Sequence, residues 1–157
     1  MRIVTVSSSR YDKKRRGETY SDEGGDTAEA ETKAAGYVVT GRALVSDEAP
    51  MLRREVKSFL SGQDDVLLFT GGTGVSKRDI TIETVKPFFE KELTGFGELL
   101  RRISYDEIGS SAMLTRATAG VAKGKLLVCM PGSPGAVKTA LKASIPDFPH
   151  ILFVARS

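Results

Sequence analysis

Residues 69–83, FTGGTGVSKRDITIE, combine glycines, cations and a carboxylate directly after an apolar segment. Successive glycines allow backbone N–H groups to converge on an anion, because no side chain obstructs them. Lys77, Arg78 and Asp79 follow the glycines, so this pattern favours a polyanion together with the metal ion that accompanies it. The alternative is a tight turn between a strand and a helix that binds no ligand.

Two familiar phosphate-binding motifs do not fit this stretch. A P-loop needs a glycine directly before its lysine, where this chain has Ser76. A dinucleotide-binding fingerprint needs a glycine at its sixth position, where this chain has Lys77. The segment therefore predicts an anion site of another kind, in which residues 71–74 form a glycine turn that binds phosphate through its backbone.

Two aspartates follow predicted strands, and each has two interpretations. Asp79 precedes ITIETV and is typical of a helix N-cap, and Asp47 in VSDE is typical of a cap at a strand end. Both are also suited to bind Mg²⁺ beside a phosphate, because magnesium prefers hard oxygen ligands and takes few of them from the protein. Two such carboxylates beside one glycine turn would favour the metal site.

Two further motifs are typical of helix starts. Ser104 and Glu107 in SYDEIG have the S-x-x-E spacing of a capping box, which explains them without any ligand. In MPGSPG, Ser133 stands at an N-cap position and Pro134 at the first helical position. A helix that begins directly after a strand also presents free N–H groups to an anion, so this second turn is a candidate ligand site.

Short apolar segments rich in β-branched residues predict five buried strands. They are residues 2–7, 37–45, 66–70, 125–130 and 151–155. Segments with helical spacing lie between them, and the helix after residue 45 is predicted to begin at a cap formed by Ser46 or Asp47. The alternation predicts a three-layer α/β/α fold with a mostly parallel sheet, whose ligands bind at the carboxyl ends of the strands.

Two regions lack a strand pattern. Residues 10–26 contain many charges and no apolar period, which predicts a long, mobile loop. Its cations form either a solvated surface or a basic flap over an anionic ligand. Residues 91–120 are predicted to be helical, with breaks at Gly95, Gly97 and Gly109.

The whole chain sets limits on the class of protein. Its 157 residues predict one domain, residues 1–157. The net charge of +3 gives no reason to expect a nucleic-acid partner. Cys129 is the single cysteine and cannot form an internal disulfide, and no signal peptide or membrane span is visible. These features predict a cytoplasmic protein without a membrane partner.

Several motifs, in this order and separation, resemble one family as a set. TGGTGVSKRDIT, SYDEIGSSAMLTRATAG and MPGSPGAVKTAL are similar to the molybdenum cofactor biosynthesis family known as MoaB/Mog. This family includes molybdopterin adenylyltransferases and the gephyrin-type G domain. The resemblance also takes in VSSSRY, DEGGD and VSDE, so it covers nearly the whole chain.

The resemblance implies a molybdopterin-binding α/β fold that acts on molybdopterin and ATP with Mg²⁺. The reaction implied is transfer of AMP to the terminal phosphate of molybdopterin with release of pyrophosphate. The family's two catalytic aspartates fall on Asp47 and Asp79, the pair considered above for Mg²⁺. Its substrate-binding positions fall on two turns and one further motif, at Gly71, Gly72, Thr73, Gly74, Ser104, Glu107, Pro131, Gly132 and Ser133.

The residues supply what such a reaction needs. The attacking group is an ionised phosphate oxygen, so no serine, cysteine or histidine nucleophile is required. The task is to bring two polyanions into line and to neutralise charge that moves onto pyrophosphate. The glycine turn, Lys77, Arg78 and the two aspartates form that set. We therefore interpret the protein as a molybdopterin adenylyltransferase.

The resemblance leaves alternatives open and implies partners. A non-catalytic carrier or scaffold of the same family would bind molybdopterin without turnover, but the presence of both aspartates favours the enzyme. A related nucleotide pyrophosphatase is disfavoured, because that group tends to have GGLG where this chain has GGTG. Gly24 in DEGGD stands where serine is common in the family. The implied partners are further copies, in a homotrimer or homohexamer, and the downstream metal-insertion protein.

Overall fold

Strands and helices alternate along most of the chain in the computed structural model, which describes residues 1–157. There are six strands, β1 (Arg2–Val6), β2 (Gly41–Val45), β3 (Val66–Thr70), β4 (Lys91–Glu92), β5 (Thr118–Ala122) and β6 (Lys125–Met130). There are seven helices, α1 (Ser8–Arg15), α2 (Glu23–Ala34), α3 (Ala49–Ser61), α4 (Thr81–Val85), α5 (Thr94–Ile108), α6 (Pro134–Ser144) and α7 (Phe148–Arg156). Short 3₁₀ turns cover Lys86–Phe88, Gly109–Leu114 and Ile145–Asp147. None of the helices combines the length and hydropathy that a membrane span needs.

All six strands form one sheet, in the order β2-β1-β3-β6-β5-β4. β2, β1, β3 and β6 run parallel, and β5 and β4 complete one edge in antiparallel pairing. The mostly parallel sheet predicted from the alternation of elements is confirmed. The carboxyl ends of its four parallel strands point to the same side of the molecule, and the loops that follow them share that side.

Helices cover both faces of the sheet, because successive strand residues point to opposite faces and both sets are apolar. On one face, Ala28, Leu100 and Leu141 of α2, α5 and α6 are buried against the strands. On the other face, Leu52 of α3 and Val85 of α4 are buried. The three-layer arrangement is therefore confirmed.

The predicted strand at residues 151–155 is wrong, since this segment lies within α7. Ile151 and Leu152 pack against the core of one sheet face, whereas Phe153 and Val154 are exposed. Burial on one side only is what a surface helix requires. Periodicity cannot assign a short continuous apolar run to a strand or a helix. The sequence feature that indicated a helix was Pro149, which lies in the first turn of α7.

The long mobile loop predicted for residues 10–26 is also wrong, because α1 and the start of α2 occupy it. None of the residues of α1 is buried, so no apolar period could reveal it. Its start is capped by Ser7, whose Oγ accepts a hydrogen bond from Arg10 N at 3.4 Å. Asp22 caps α2 by accepting from Gly25 N at 3.1 Å. The starts of both helices are therefore stabilised by capping bonds, whereas the prediction relied on a hydrophobic pattern.

Three other boundaries differ from the predictions. The second strand begins at Gly41 rather than at residue 37, and the cap position of α3 is Glu48, without a side-chain bond. Residues 91–120 contain α5 but also β4 and β5, so the helical prediction is wrong at both ends. β5 was not predicted because the residues of its sequence, TAGVA, are small and weakly apolar. Gly120 in this strand leaves space for the ring of Phe89.

Candidate functional site

The loops that carry the predicted site residues meet at the carboxyl edge of the sheet. They are residues 7–9 after β1, residues 46–47 after β2, the glycine turn after β3 and residues 131–133, the P-G-S turn, after β6. β3 and β6 are neighbours, and Gly71 N donates a hydrogen bond to Met130 O at 3.0 Å. The two candidate anion-binding turns therefore lie side by side.

The glycine turn presents free backbone amides, while three of its four carbonyl oxygens accept hydrogen bonds within the chain. Gly71 and Gly72 have φ values of 98° and 63°, in the left-handed region that favours glycine. Thr81 binds the turn from outside, its Oγ1 donating to Gly71 O and its N to Gly72 O, each at 2.9 Å. The amides of Gly72, Thr73 and Gly74 donate no hydrogen bond within the chain. They are available to an anion, as the prediction requires.

Asp47 is held beside this turn by Ser8, a residue that the sequence did not single out. Oδ2 of Asp47 accepts from Ser8 N at 2.8 Å and from Ser8 Oγ at 2.7 Å. The same hydroxyl oxygen accepts from Asp47 N and from Ser46 Oγ, both at 3.0 Å. A Cβ atom added to Gly72 would lie 2.8 Å from Asp47 Oδ1. Asp47 thus caps α1 with one carboxylate oxygen and directs the other to the glycine turn.

Asp79 flanks the other end of the turn. A Cβ atom added to Gly74 would lie 2.8 Å from Asp79 Oδ2, which accepts a hydrogen bond from Ser76 N at 2.9 Å. The cap position of α4 is Ile80, and no side chain caps that helix, so the interpretation of Asp79 as a helix N-cap is wrong. Its carboxylate instead closes the turn at residues 76–79, where it faces the glycines.

Most of the predicted residues line one cavity of about 630 Å³ between the two turns, a volume within the range of small-molecule sites. The predicted residues in its wall are Gly71, Gly72, Thr73, Gly74, Asp79, Ser104, Glu107, Pro131, Gly132 and Ser133. Asp47, Lys77 and Arg78 do not line it. Lys77 and Arg78 are exposed, and their side chains form no ion pair or hydrogen bond within the chain.

Ser104 and Glu107 lie near the carboxyl end of α5, so their interpretation as a capping box at a helix start is wrong. Ser104 is buried, and Glu107 accepts from Thr139 Oγ1 of α6, with distances of 3.0 and 3.2 Å to its two oxygens. This contact joins the end of α5 to the helix that follows the P-G-S turn. Both residues also line the cavity.

The helix start predicted in MPGSPG is confirmed. Ser133 occupies the cap position of α6 and Pro134 the first helical position. The Ser133 hydroxyl makes no capping bond. The backbone amides of Gly135 and Ala136 at the helix start also donate no hydrogen bond within the chain. All three residues line the cavity. The positive end of the α6 dipole thus faces the same space as the glycine turn.

Arg116 is a cavity residue that sequence reasoning did not assign. Its Nη1 donates to Gly74 O at 2.7 Å, and its Nη2 forms an ion pair with Glu83 of α4. Partial burial acts to raise the pKa of Glu83, but the hydrogen bond and the charge of Arg116, together with a backbone hydrogen bond, outweigh it, so the pKa is lowered. Glu83 therefore stays ionised and holds Arg116 on the glycine turn. In the sequence, the only indication that Arg116 belongs to the site was its position within the motif LTRATAG.

Comparison with known proteins places this fold and site in one class. The family described as "Probable molybdopterin binding domain" matches residues 2–150. The chain is 40% identical over 151 residues to a protein of Methanocaldococcus jannaschii named "Probable molybdopterin adenylyltransferase", covering 96% of this chain and 90% of that protein. It is also 40% identical over 154 residues to "Molybdenum cofactor biosynthesis protein B" of Bacillus subtilis, covering 96% and 86%.

Solved structures agree with these sequence matches. The structure described as "tungsten cofactor synthesizing protein MoaB from Pyrococcus furiosus" superposes with a TM-score of 0.87 at 37% identity, covering 99% of this chain and 96% of that one. A structure described as "Molybdenum cofactor biosynthesis protein B" gives 0.86 at 41% identity, covering 99% and 95%. The protein is thus a molybdopterin-binding α/β protein. It belongs to the MoaB/Mog family of molybdenum cofactor biosynthesis proteins.

Proposed function

We propose that this protein transfers AMP from ATP to the terminal phosphate of molybdopterin and releases pyrophosphate. The observation that carries the proposal is the pair of carboxylates, Asp47 and Asp79, on the two flanks of a glycine turn with free amides. A carrier needs a pocket for the pterin but no second anion site with a carboxylate pair beside it. The names of the M. jannaschii and B. subtilis relatives support the same pathway.

The two turns are assigned to the two substrates. The glycine turn binds the phosphates of ATP through the amides of Gly72, Thr73 and Gly74, while Lys77 and Arg78 add positive charge from the solvent side. Molybdopterin binds across the cavity, with its phosphate at the α6 helix start and its ring system near Ser104, Glu107 and the exposed side chain of Ile108. Because the turns are adjacent, both substrates reach the same space.

The chemistry then depends on position and charge. A terminal phosphate oxygen of molybdopterin attacks the α-phosphorus of ATP, and the bond from that phosphorus to the β-phosphate oxygen breaks. Negative charge moves onto pyrophosphate, where the free amides of the glycine turn stabilise it. No protein nucleophile is needed, because the attacking oxygen is already ionised. Arg116 keeps the turn in place through Gly74 and Glu83 rather than binding substrate.

The residues at the glycine turn fit a Mg²⁺ ion. Oδ1 of Asp47 and Oδ1 of Asp79 accept no hydrogen bond from the chain, while each Oδ2 is fixed by a donor. Two hard oxygen ligands beside a phosphate site are what magnesium uses in nucleotide enzymes. When bound, the ion supplies positive charge that offsets the charge developing on the phosphates.

One assay tests the function. The protein is incubated with molybdopterin, ATP labelled at the α-phosphate and Mg²⁺, and the pterin is analysed for transferred label. We expect labelled molybdopterin and an equal amount of pyrophosphate, both lost when Mg²⁺ is chelated. Tight binding of molybdopterin without label transfer would identify the protein as the carrier instead.

We also propose that the protein acts as a homotrimer or homohexamer. Large apolar side chains are exposed close together in the chain at the end of α5 and in the 3₁₀ turn that follows it, with Ile108 at 54% exposure, Met113 at 82% and Leu114 at 62%. Exposed apolar groups of this size are typical of surfaces that contact another chain. Light scattering at micromolar concentration should give three or six times the chain mass. A monomer mass would contradict the proposal.

A further inference from the structure

The amides of the glycine turn bind an anion only if they point toward it, and the carbonyl of the same peptide unit sets the direction of each amide. A peptide unit is planar and trans, so its C=O and N–H groups point in opposite directions. Gly71 O belongs to the same unit as Gly72 N, and Gly72 O to the same unit as Thr73 N. A group that holds these two oxygens therefore directs the two amides to the opposite side of the turn.

One residue, Thr81, holds both oxygens. It is the first residue of α4, and its Oγ1 donates to Gly71 O while its N donates to Gly72 O, each at 2.9 Å. Thr81 is fully buried and does not line the cavity, whereas Gly71, Gly72 and Thr73 do. The amides of Gly72 and Thr73 thus point away from Thr81 and donate to no group in the chain.

The hydroxyl is the only group that fixes the first of these units. Gly71 O accepts from Thr81 Oγ1 alone, and Gly72 N has no acceptor in the chain. Glycine adopts positive and negative φ values with similar ease, so the unit can rotate by about half a turn without steric cost from a Cβ atom. That rotation would present a carbonyl oxygen to the phosphates in place of an N–H group.

The position of the hydroxyl also explains why residue 72 is a glycine. A Cβ atom added to Gly72 would lie under 3.0 Å from Thr81 Oγ1, a separation that real Cβ atoms essentially never show, and 2.8 Å from Asp47 Oδ1. Position 72 therefore has no room for a side chain while Thr81 keeps its bond to Gly71 O. The glycine that gives the turn its freedom and the threonine that restricts it belong to one arrangement.

We propose that Thr81 is a positioning residue for AMP transfer, because its hydroxyl keeps the amide of Gly72 directed at the phosphates of ATP. This role rests on the proposed function, in which the glycine turn binds ATP and stabilises the departing pyrophosphate. A donor that is already oriented needs no reorganisation when charge develops, and removing one such donor outright typically costs on the order of 10²–10³-fold in rate. Thr81 itself touches no substrate.

Two variants of Thr81 separate its hydroxyl from its packing. Thr81→Val retains a branched side chain of similar shape but cannot donate to Gly71 O, and the backbone bond to Gly72 O does not depend on the side chain. Thr81→Ser retains the hydroxyl and lacks only the methyl group. Thr32→Val is the matched control, because Thr32 in α2 is equally buried and its Oγ1 has no hydrogen-bond partner.

Single-turnover AMP transfer is measured while MgATP and molybdopterin are varied in turn, together with a thermal melt. We expect kcat/KM for MgATP to fall by roughly 10-fold to 10²-fold in Thr81→Val, and to stay within a few-fold of the parent in Thr81→Ser and Thr32→Val. Molybdopterin affinity should be unchanged in all three. Both Thr81 variants should melt below the parent, the serine variant through its lost methyl group and the valine variant through an unpaired carbonyl oxygen.

The contrast between the two Thr81 variants decides the role of the hydroxyl. A parental kcat/KM for MgATP in Thr81→Val would overturn the proposal, and so would an equal loss in Thr81→Ser, since transfer would then follow stability. A loss of molybdopterin affinity as large as the loss for MgATP would also overturn it. If Thr81→Val does not fold, Thr81→Ala is compared with Thr81→Ser, because these two variants differ only in the hydroxyl.

Absence of transfer by the parent protein would refute the proposed function rather than the role of Thr81. Calorimetric binding of MgATP then answers the second question. Weaker binding by Thr81→Val than by Thr81→Ser and Thr32→Val supports an amide that the hydroxyl directs at the phosphates. Equal binding by all three variants overturns it.

Discussion

The two turns that follow β3 and β6 are held in different ways. The glycine turn is surrounded by polar side chains, with Thr81 and Arg116 bonded to its carbonyl oxygens and Asp47 and Asp79 at its flanks. No side chain donates to or accepts from the P-G-S turn, and the hydroxyl of Ser133 makes no capping bond. The first turn is fixed by its own bonds, whereas the second is placed by packing against its neighbours.

This difference predicts that the two turns have separate functions. A rigid turn with free amides and fixed carboxylates stabilises developing charge without reorganisation, so changes there should lower the rate of transfer. A turn placed by packing offers unpaired groups to a ligand, so changes there should mainly weaken ligand binding. Variants at the glycine turn should therefore change mainly the rate of AMP transfer, and variants at the P-G-S turn mainly the affinity for the ligand.

Asp79→Asn should have the largest effect. Asparagine retains a side-chain carbonyl that can accept from Ser76 N, so the turn at residues 76–79 should persist and the thermal midpoint should change little. It lacks the negative charge that would hold Mg²⁺ in the proposed mechanism, and loss of one such electrostatic contact typically lowers kcat on the order of 10²-fold or more. Single-turnover AMP transfer, a thermal melt and molybdopterin binding together check this expectation.

Asp12→Asn is the matched control, because Asp12 is exposed on α1 and its side chain has no hydrogen-bond partner. It should retain parental transfer. Transfer by Asp79→Asn within a few-fold of the parent would refute the role of Asp79 as a metal ligand. Loss of folding in Asp79→Asn would contradict the expected thermal midpoint and show that the turn at residues 76–79 requires the carboxylate.

Ser133→Ala should have an intermediate effect, and on affinity. Stability should be retained, because the hydroxyl caps nothing in the chain. A hydrogen bond to a charged phosphate contributes about 1.5–3 kcal/mol, so molybdopterin binding should weaken by roughly 10-fold or more while ATP binding is unchanged. Ser110→Ala, an exposed serine without a side-chain hydrogen bond, is the control. Equal losses of ATP and molybdopterin affinity would contradict the division between the turns.

The sequence predicted the layers of the fold and the two turns because these depend on local signals. Buried parallel strands such as residues 66–70 are continuous apolar runs, and glycines or a Ser-Pro pair mark the turns that follow them. α1 was missed because its stability comes from Ser7 and Asp47, which are separated by 40 positions in the chain, rather than from an apolar face. Residues 151–155 were misassigned because a short apolar run fits a strand and a helix equally.

The site was less predictable where its geometry depends on distant contacts. Local spacing made Asp79 resemble a helix cap and made Ser104 and Glu107 resemble a capping box, and neither interpretation holds. Ser8 and Arg116 could not be assigned from local sequence, because each acts through a partner more than 30 residues away. The close approach of Gly24 to Gly132 likewise exists only after the strands have paired.

The smallest predicted effect concerns α1, which begins at Ser8 beside Asp47 and carries exposed cations at its far end. Its eight residues span about 12 Å, so Arg15 and Arg16 lie roughly one screening length from the glycine turn at 0.1 M salt. Arg16 is also paired with Glu18 at 2.5 Å, which cancels part of its charge. We therefore expect Arg15→Gln/Arg16→Gln to raise the KM for MgATP only a few-fold at low salt, and not at high salt.

The control for this charge change uses two residues at the end of the sheet opposite the site, where the parallel strands begin. Lys57→Gln/Lys123→Gln removes the same two charges from exposed residues near the amino ends of the strands, and should leave the KM unchanged at every salt concentration. If both double variants raise the KM equally, the attraction arises from net charge rather than from α1. If neither does, the cations of α1 only solvate the surface, and capture of ATP depends on the glycine turn, Lys77 and Arg78 alone.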